Sequence, residues 1–391
     1  MLRLARRTQR TTYFSKEKAM KFSASTQELG AALARVAGAI PPRSPMPVLE
    51  NVLLRLEGNE LRLTATDMDI AISTLLDVRG ERDGSLLVPA RRFTDTVKAL
   101  RDGDLTFVAD PDNHRIAIDV PTGEFKLSGL SADEFPKLVN FEASVSTTLP
   151  VDKFTKMVDR TIFACSSDEF RPAMTGVLFQ FRADEIRTVA TDGFRLVRVG
   201  DHETKATLAE ELDIIIPPKG LQLATKALEA DELTLSANQT HIRFADERTH
   251  ITARLIDERY PDYETVIPQG NDKRMVVRKD DLLATIRRVS LYSNAQTRQV
   301  RLRMHENSVK ITAQDTDTGG EAQESVPCDY GDDQLEIGFN AHFLREALDK
   351  IDTSEVTFDF STPLRPSLIS PNGPRNGQDV LMLLMPIRLN N

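Results

Sequence analysis

A chain of 391 residues has room for about two to three domains, and its 40% hydrophobic and 28% charged content is that of an ordinary globular protein. A formal charge of −9 excludes a nucleic-acid binder that works by being basic overall. Two cysteines, Cys165 and Cys328, exclude a disulfide framework and fit a reducing cytoplasm, and no apolar run reaches the roughly 20 residues that cross a bilayer as a helix.

Residues 1–19, MLRLARRTQRTTYFSKEKA, set Arg3, Arg6, Arg7, Arg10, Lys16 and Lys18 against Glu17. Such an Arg-rich, acid-poor start imitates a transit peptide. The simpler reading is an upstream start codon or a disordered tail before a true start at Met20, so the stretch is set outside the fold.

From Met20 one order of elements appears three times. MKFSASTQELGAALARVAGAI, TTLPVDKFTKMVDRTIFACS and KRMVVRKDDLLATIRRVSLYS each read as a strand leading into a helix, with apolar residues at helical spacing such as Leu29, Leu33, Val36 and Ile40. Each is followed by a hairpin, VLLRLEGNELRLTATD, VLFQFRADEIRTVATD and VRLRMHENSVKITAQD, turning at Gly58-Asn59, Ala183-Asp184 and Glu306-Asn307. A strand, a break and a second helix come next in SLLVPARRFTDTVKAL, DIIIPPKGLQLATKAL and LEIGFNAHFLREALDKI, before a last strand pair in each copy. A period of about 125 residues with this fixed order predicts an α+β protein, three tandem copies of one unit with two helices each. The expected limits are 20–140, 148–264 and 265–389.

Aspartates 67, 192 and 315 close the three hairpins, 125 and 123 residues apart. Asp192 in TVATDGFRLV has the look of a catalytic carboxylate, but recurrence at the same corner of every copy makes a turn residue the simpler reading. The motif search agrees: there is no phosphate loop, no Gly-x-Ser-x-Gly elbow and no metal-binding histidine spacing. His241 and His250 read as surface residues of a hairpin, and Cys165 as a small core residue rather than a nucleophile. DTDTGGEAQESV at 315–326 begins like a calcium loop but ends on Val326 where a bidentate Glu is required, which leaves a solvated acidic loop. Asp67 and Asp69 lack a recurring partner for acid–base work. No catalytic residue, metal or cofactor is therefore assigned.

The positive charge is concentrated. The segments 26–40, 90–101, 151–164, 218–229, 279–293 and 340–350 together carry +6, which leaves −15 on the rest of the chain. Helices gathered on one surface would present a basic face on an acidic body, which suits phosphate backbones bound without reading sequence.

MKF at 20–22, TATD at 64–67, VPARRF at 88–93, TVATDGFRL at 188–196, RYPDY at 259–263, IGFN at 337–340 and MPIRL at 385–389 resemble, in order and over nearly the whole chain, the bacterial sliding clamps, the beta subunits of DNA polymerase III. The resemblance implies a head-to-tail homodimer closing a ring of six domains, sheets outside and helices lining a hole for duplex DNA. The implied role is a processivity factor, a non-catalytic subunit of the cytoplasmic polymerase holoenzyme, without cofactor or membrane attachment. It further implies a pocket for short linear motifs of the polymerase III alpha subunit and other polymerases, the clamp loader delta subunit and repair proteins.

Carried over by position, that pocket comprises Met174, Thr191, Gly193, Phe194, Arg195, Leu196, Pro261, Val266, Asn340, Phe343, Leu364, Leu383, Leu384, Met385, Pro386, Ile387 and Arg388. Arg43, Arg91, Arg171 and Lys219 match positions near DNA. Phe125 and Leu127 with Leu291 and Tyr292 match the subunit interface, and Arg92 would face the partner's acidic 315–324 loop. The final apolar run is expected to pack as an edge strand, with Pro386 blocking further pairing. This chain departs from the family at Phe194, where a polar-tipped ring such as His is frequent, at Thr265, where Arg is frequent, and at Asn390 and Asn391 beyond the usual end. SPNGPRNGQD at 370–379 reads as a mobile polar turn. Two other readings remain open: a metal-dependent nucleic-acid enzyme using Asp67, Asp69 and Asp192, and a monomeric scaffold that binds peptides only.

Overall fold

Strand and helix meet in each repeat where a β-rich run stops at a capping residue. Ser25 ends the first strand, Met20–Ser25, and its hydroxyl accepts the Glu28 N–H at 3.4 Å to start α1, Thr26–Ala37. Pro89 and Pro150, which give no side-chain cap, stand at the starts of α2, Ala90–Ala99, and α3, Val151–Thr161. The remaining helices are α4, Pro218–Ala227, α5, Lys279–Val289, and α6, Ala341–Asp349. The computed structural model describes residues 19–208, 210–373 and 377–389. The basic stretch 1–18, the centre of the 370–379 turn and Asn390–Asn391 lie outside the described residues.

The chain divides into two compact units. The first takes the chain through Phe141 together with Lys226–Ala230 and Arg243–Ala253. Its five-stranded sheet runs, by neighbours, Arg79–Arg82, Met20–Ser25, Asp104–Ala109, Arg115–Val120 and Gly123–Ser128. A second antiparallel run pairs Gly84–Pro89, Asn51–Glu57, Glu60–Thr66 and Ile70–Asp77, with Thr249–Arg254 on Ile70–Asp77. Leu29, Leu33 and Val36 of α1 and Phe93 and Val97 of α2 are buried. The Phe22 and Phe107 rings stack at 4.9 Å, with Phe93 edge-on at 5.8 Å. Burial of each such ring stabilises the unit by about 1.5–3 kcal/mol over exposure.

The second unit holds Glu142–Thr225, Asp231–Ile242 and the chain from Arg254 onward. An antiparallel pairing joins the second and third repeats within this unit: Arg195–Asp201 runs against Gln378–Leu384, from Arg195↔Leu384 to Asp201↔Gln378. Four strands of the second repeat thus continue into those of the third as one sheet of twelve strands. Phe154, Met157 and Val158 of α3, Leu282, Ile286 and Val289 of α5, and Leu344 and Leu348 of α6 are buried.

The corner aspartates behave alike. Asp67 Oδ1 accepts the N–H groups of Asp69 at 3.1 Å and Ile70 at 2.7 Å. Asp315 Oδ1 accepts from Asp317 N–H at 3.2 Å and its Oδ2 from the Thr318 hydroxyl at 2.7 Å. That hydroxyl, with Asn294 and the Asp317 amide, holds the Asp315 carboxyl below the usual carboxylate range. The expected acidic loop at 315–326 is mostly strand: Ser308–Asp315 pairs with Gly320–Tyr330, and only 316–319 turn. Alternation had been hidden there by acids on the exposed face. His241 and His250, expected at the surface, are half-buried, and burial pulls both below the ordinary histidine value.

Candidate functional site

The corner between the strands Ile186–Thr191 and Arg195–Asp201 is built from its own side chains. Asp192 Oδ1 accepts N–H from Phe194 at 2.9 Å and from Arg195 at 3.0 Å. The Thr191 hydroxyl donates to the Arg195 carbonyl at 2.6 Å and accepts the Gly193 N–H at 3.1 Å. Gly193 has φ +90°, a backbone conformation that favours glycine, and a Cβ there would stand 3.2 Å from Arg171 Nη1, whose side chain would have to shift slightly. Asp192 turns a corner.

That turn sends Phe194 outward, 59% exposed, and Arg195 inward, 8% exposed. The enclosed guanidinium is held at three points. Nε donates to Asp192 Oδ2 at 3.1 Å, Nη1 to Glu346 Oε2 at 2.5 Å and Nη2 to the Phe163 carbonyl at 2.6 Å. It lies 5.0 Å from the Phe163 ring centroid and 4.5 Å from that of Phe343. Phe194 stacks on the same Phe343, with centroids 6.4 Å apart and 24° between planes. An enclosed cation of this kind is tolerated because carboxylates and a carbonyl take its donors.

Beyond Leu384 the chain end closes the same region. Met385 N–H donates to the Phe194 carbonyl at 2.9 Å and Ile387 N–H to the Gly338 carbonyl at 2.8 Å. The final strand is not at the expected edge, since Gln378–Leu384 pairs with Arg195–Asp201 on one side and Ser367–Asn372 on the other. Its pairing does end before Pro386, and an isolated bridge joins Ile387 to Gly338. Pro386 marks the point where the chain end leaves the second repeat's strand and bridges to Leu335–Asn340 of the third. Beneath lies an apolar cluster of Leu178, Val189, Leu196, Ile215, Tyr263 and Leu383, with Ile256, Tyr260, Ile267 and Leu368 packed on it.

The sequence-predicted pocket residues divide by this geometry. Met174, Thr191, Leu196, Leu383 and Leu384 are buried, while Pro261, Val266, Met385 and Arg388 are exposed. Phe343, Pro386 and Ile387 are half-buried. Pro261 and Val266 stand beside Tyr260, Tyr263 and Ile267 of the cluster, and Leu364 is exposed on the turn before the strand that carries Leu368. Asn340 caps α6, its side-chain oxygen accepting the His342 N–H at 2.9 Å, so that oxygen is already engaged. Thr265 donates to the Asp262 carbonyl within a tight turn, at 2.8 Å. Cys165 lies near Arg195 and Asp192, and burial pushes its thiol up to about 12, which suits a packing residue and not a nucleophile.

The cations fall into two sets. Arg43 and, on α2 and just beyond it, Arg91, Arg92, Lys98 and Arg101 are exposed, with no carboxylate at ion-pairing distance among the described residues. On the other helices most are matched by acids: Lys153 with Asp201 and Glu203, Arg160 with Asp352, Lys350 with Asp159, Arg287 with Asp349 and Arg288 with Glu324. Lys219 is exposed in the first turn of α4. Arg171, grouped by sequence with the phosphate contacts, lies at the Asp192 corner instead, its Nε on Asp168 at 2.8 Å and its Nη1 on the Asp192 carbonyl at 3.4 Å. Of the interface positions, Leu291 is 80% and Tyr292 49% exposed on the turn after α5, and Phe125 is exposed on its strand. Leu127 is packed into its own core. Among the described residues no group of three or more His, Cys, Asp or Glu side chains is arranged to hold a metal, and Asp67 and Asp192 are spent on their own turns.

Three family models match end to end: DNA polymerase III beta subunit, N-terminal domain, over residues 20–139; its central domain over 148–262; and its C-terminal domain over 264–388. The chain belongs to the bacterial sliding clamps. It is 32% identical to the beta sliding clamp of Synechococcus elongatus over 381 residues, covering 95% of this chain and 100% of that one. The beta sliding clamp of Pseudomonas aeruginosa is 32% identical over 374 residues with the same coverage. A crystal structure of a Pseudomonas aeruginosa sliding clamp bound to griselimycin superposes with a TM-score of 0.90 at 30% identity, covering 95% of this chain and all of that one. One from Bartonella birtlesii, also bound to griselimycin, gives 0.89 at 30%. The α+β fold of three clamp domains, antiparallel sheets with two helices per domain, is thereby established.

Two participants in this clamp's corner escaped the sequence reading, Glu346 and Phe163. Glu346 lies three residues past Phe343 on α6, a spacing that puts both on one helix face. The residue it holds, Arg195, is 151 positions away, and no local pattern signals that.

Proposed function

We propose that the chain is a DNA sliding clamp, the cytoplasmic processivity factor of a replicative polymerase, working as a head-to-tail homodimer whose ring encircles duplex DNA. The observation that carries this is the end-to-end match of three clamp-domain models over 20–139, 148–262 and 264–388, for which we propose domain limits of 20–140, 148–264 and 265–389. Exposed Leu291 and Tyr292 on one repeat and Phe125 on another support a joint between copies, with Arg92 near the partner's 315–324 hairpin. Arg43, Arg91 and Lys219 would take phosphates without reading bases. Arg171, half-neutralised by Asp168, would contribute less.

The peptide pocket is proposed at the Asp192 corner. An apolar floor of Leu196 and Leu383 with exposed Phe194, Val266, Leu364 and Met385 around it suits Leu or Phe side chains of short linear motifs from polymerases, the clamp loader and repair proteins. Phe194 stacked on Phe343 replaces a hydrogen bond with an aromatic face. Native mass measurement tests the assembly: twice 43.7 kDa is expected, and a species at 43.7 kDa alone at micromolar concentration would refute it.

A further inference from the structure

We propose that Glu346 is a positioning residue of the peptide pocket, acting through Arg195 to hold the Phe343 ring as the backing of the exposed Phe194 face. The inference rests on the pocket reading above and adds Glu346 and Phe163, neither of which that reading includes. Four planar groups follow one another: the Phe163 ring, the Arg195 guanidinium, the Phe343 ring and the Phe194 ring. The guanidinium is anchored at Asp192, at the Phe163 carbonyl and at Glu346. The first two anchors lie in the second repeat, as does Arg195 itself. Glu346 lies on α6 of the third, one turn beyond Phe343.

This division of anchors fixes what Glu346 does. Without it, Arg195 stays pinned to Asp192 and Phe163, and the fold keeps the strand pairing of Arg195–Asp201 with Gln378–Leu384. What is lost is the charged link that registers α6, and with it Phe343, over the guanidinium. Phe194 then loses its backing and is free to leave the geometry in which its outer face is open. His342 Nε2 stands 3.2 Å from the same Glu346 Oε2, on the helix that carries Phe343, so that one oxygen fixes both ends of the ring's surroundings. A flat ring backed by a second ring and a cation favours an aromatic side chain on its open face, through offset stacking.

The test compares the dimer with its Glu346→Ala and Glu346→Gln variants, Gln keeping the size of the side chain should Ala disturb folding. Calorimetry with a peptide containing Gln-Leu-x-Leu-Phe reads affinity, and aromatic NMR of ring-labelled Phe reads Phe194 and Phe343. Loss of a charge-assisted hydrogen bond predicts binding weaker by about tenfold, with both rings shifted toward free-Phe values and an unchanged dimer mass. Wild-type affinity in both variants overturns the inference, and so does weaker binding with unmoved rings. If the unaltered protein does not bind the peptide, the pocket reading itself falls, and this inference falls with it.

Discussion

Replacing Gly338 by Ala should peel the chain end from the third repeat without replacing a pocket residue. Gly338 sits in the strand Leu335–Asn340, paired with Arg301 on one side and bridged to Ile387 on the other. A Cβ there would stand 2.7 Å from Leu389 Cδ2 and 2.8 Å from the Ile387 carbonyl oxygen. The leucine methyl can rotate away. The carbonyl cannot, because Ile387 N–H is bonded to the Gly338 carbonyl at 2.8 Å, so the backbone must retreat by several tenths of an ångström. Loss of that hydrogen bond costs about 0.5–1.5 kcal/mol, and partial exposure of the Ile387 side chain about as much again. Local opening of 1–3 kcal/mol speeds amide exchange at Ile387 by roughly five- to 150-fold, which mass-detected hydrogen exchange over 381–389 resolves. Peptide affinity should fall by about tenfold in the same protein, while the dimer persists. Wild-type exchange at Ile387 together with wild-type affinity would refute the view that this bridge holds one wall of the pocket.

Deleting 385–391 outright should abolish peptide binding and leave dimer and DNA retention intact, as calorimetry and native mass would show. Replacing Leu291 by Ala and Tyr292 by Arg should give monomers in sedimentation, because an apolar pair is lost and a charge is left at the joint. Neutralising Arg91, which makes no ion pair among the described residues, should lower the slope of log affinity against log salt by roughly one unit, evenly across DNA sequences, and neutralising Arg171 should lower it less. Cys165, whose thiol is pushed up to about 12, should resist thiol reagents at pH 8 in the folded protein and react on unfolding. Since burial raises that folded value above the ordinary 9, its contribution to stability is complete below pH 9 and declines as pH rises from 9 through about 12. Unfolding free energy measured across that range with and without Cys165→Ala checks the sign.

The repeat was legible because it is written in local code. Hairpin turns at Gly58-Asn59 and Glu306-Asn307, helix periodicity and the corner aspartates all depend on residues within a few positions of each other. What was hidden depends on distance along the chain. The pairing that fuses the second and third repeats joins Arg195 to Leu384, and the latch at Arg195 joins it to Glu346. The acids that neutralise α3 and α5, such as Asp352 for Arg160 and Glu324 for Arg288, are likewise remote, so a helix-by-helix charge count overstated the free positive charge there. Leu127 looked like an interface residue by its position, but the face of its strand is settled only by what packs against it.

The central claim is topological, and one measurement addresses it: retention of the clamp, loaded on circular duplex DNA, at a salt concentration that strips ordinary phosphate contacts. The account predicts that the protein stays on the closed circle and is lost within the time of a single restriction cut, because a ring slides off a free end. Equal retention on circular and linear DNA, or loss from both at high salt, would mean that phosphate contacts and not encirclement hold it, and would contradict the account.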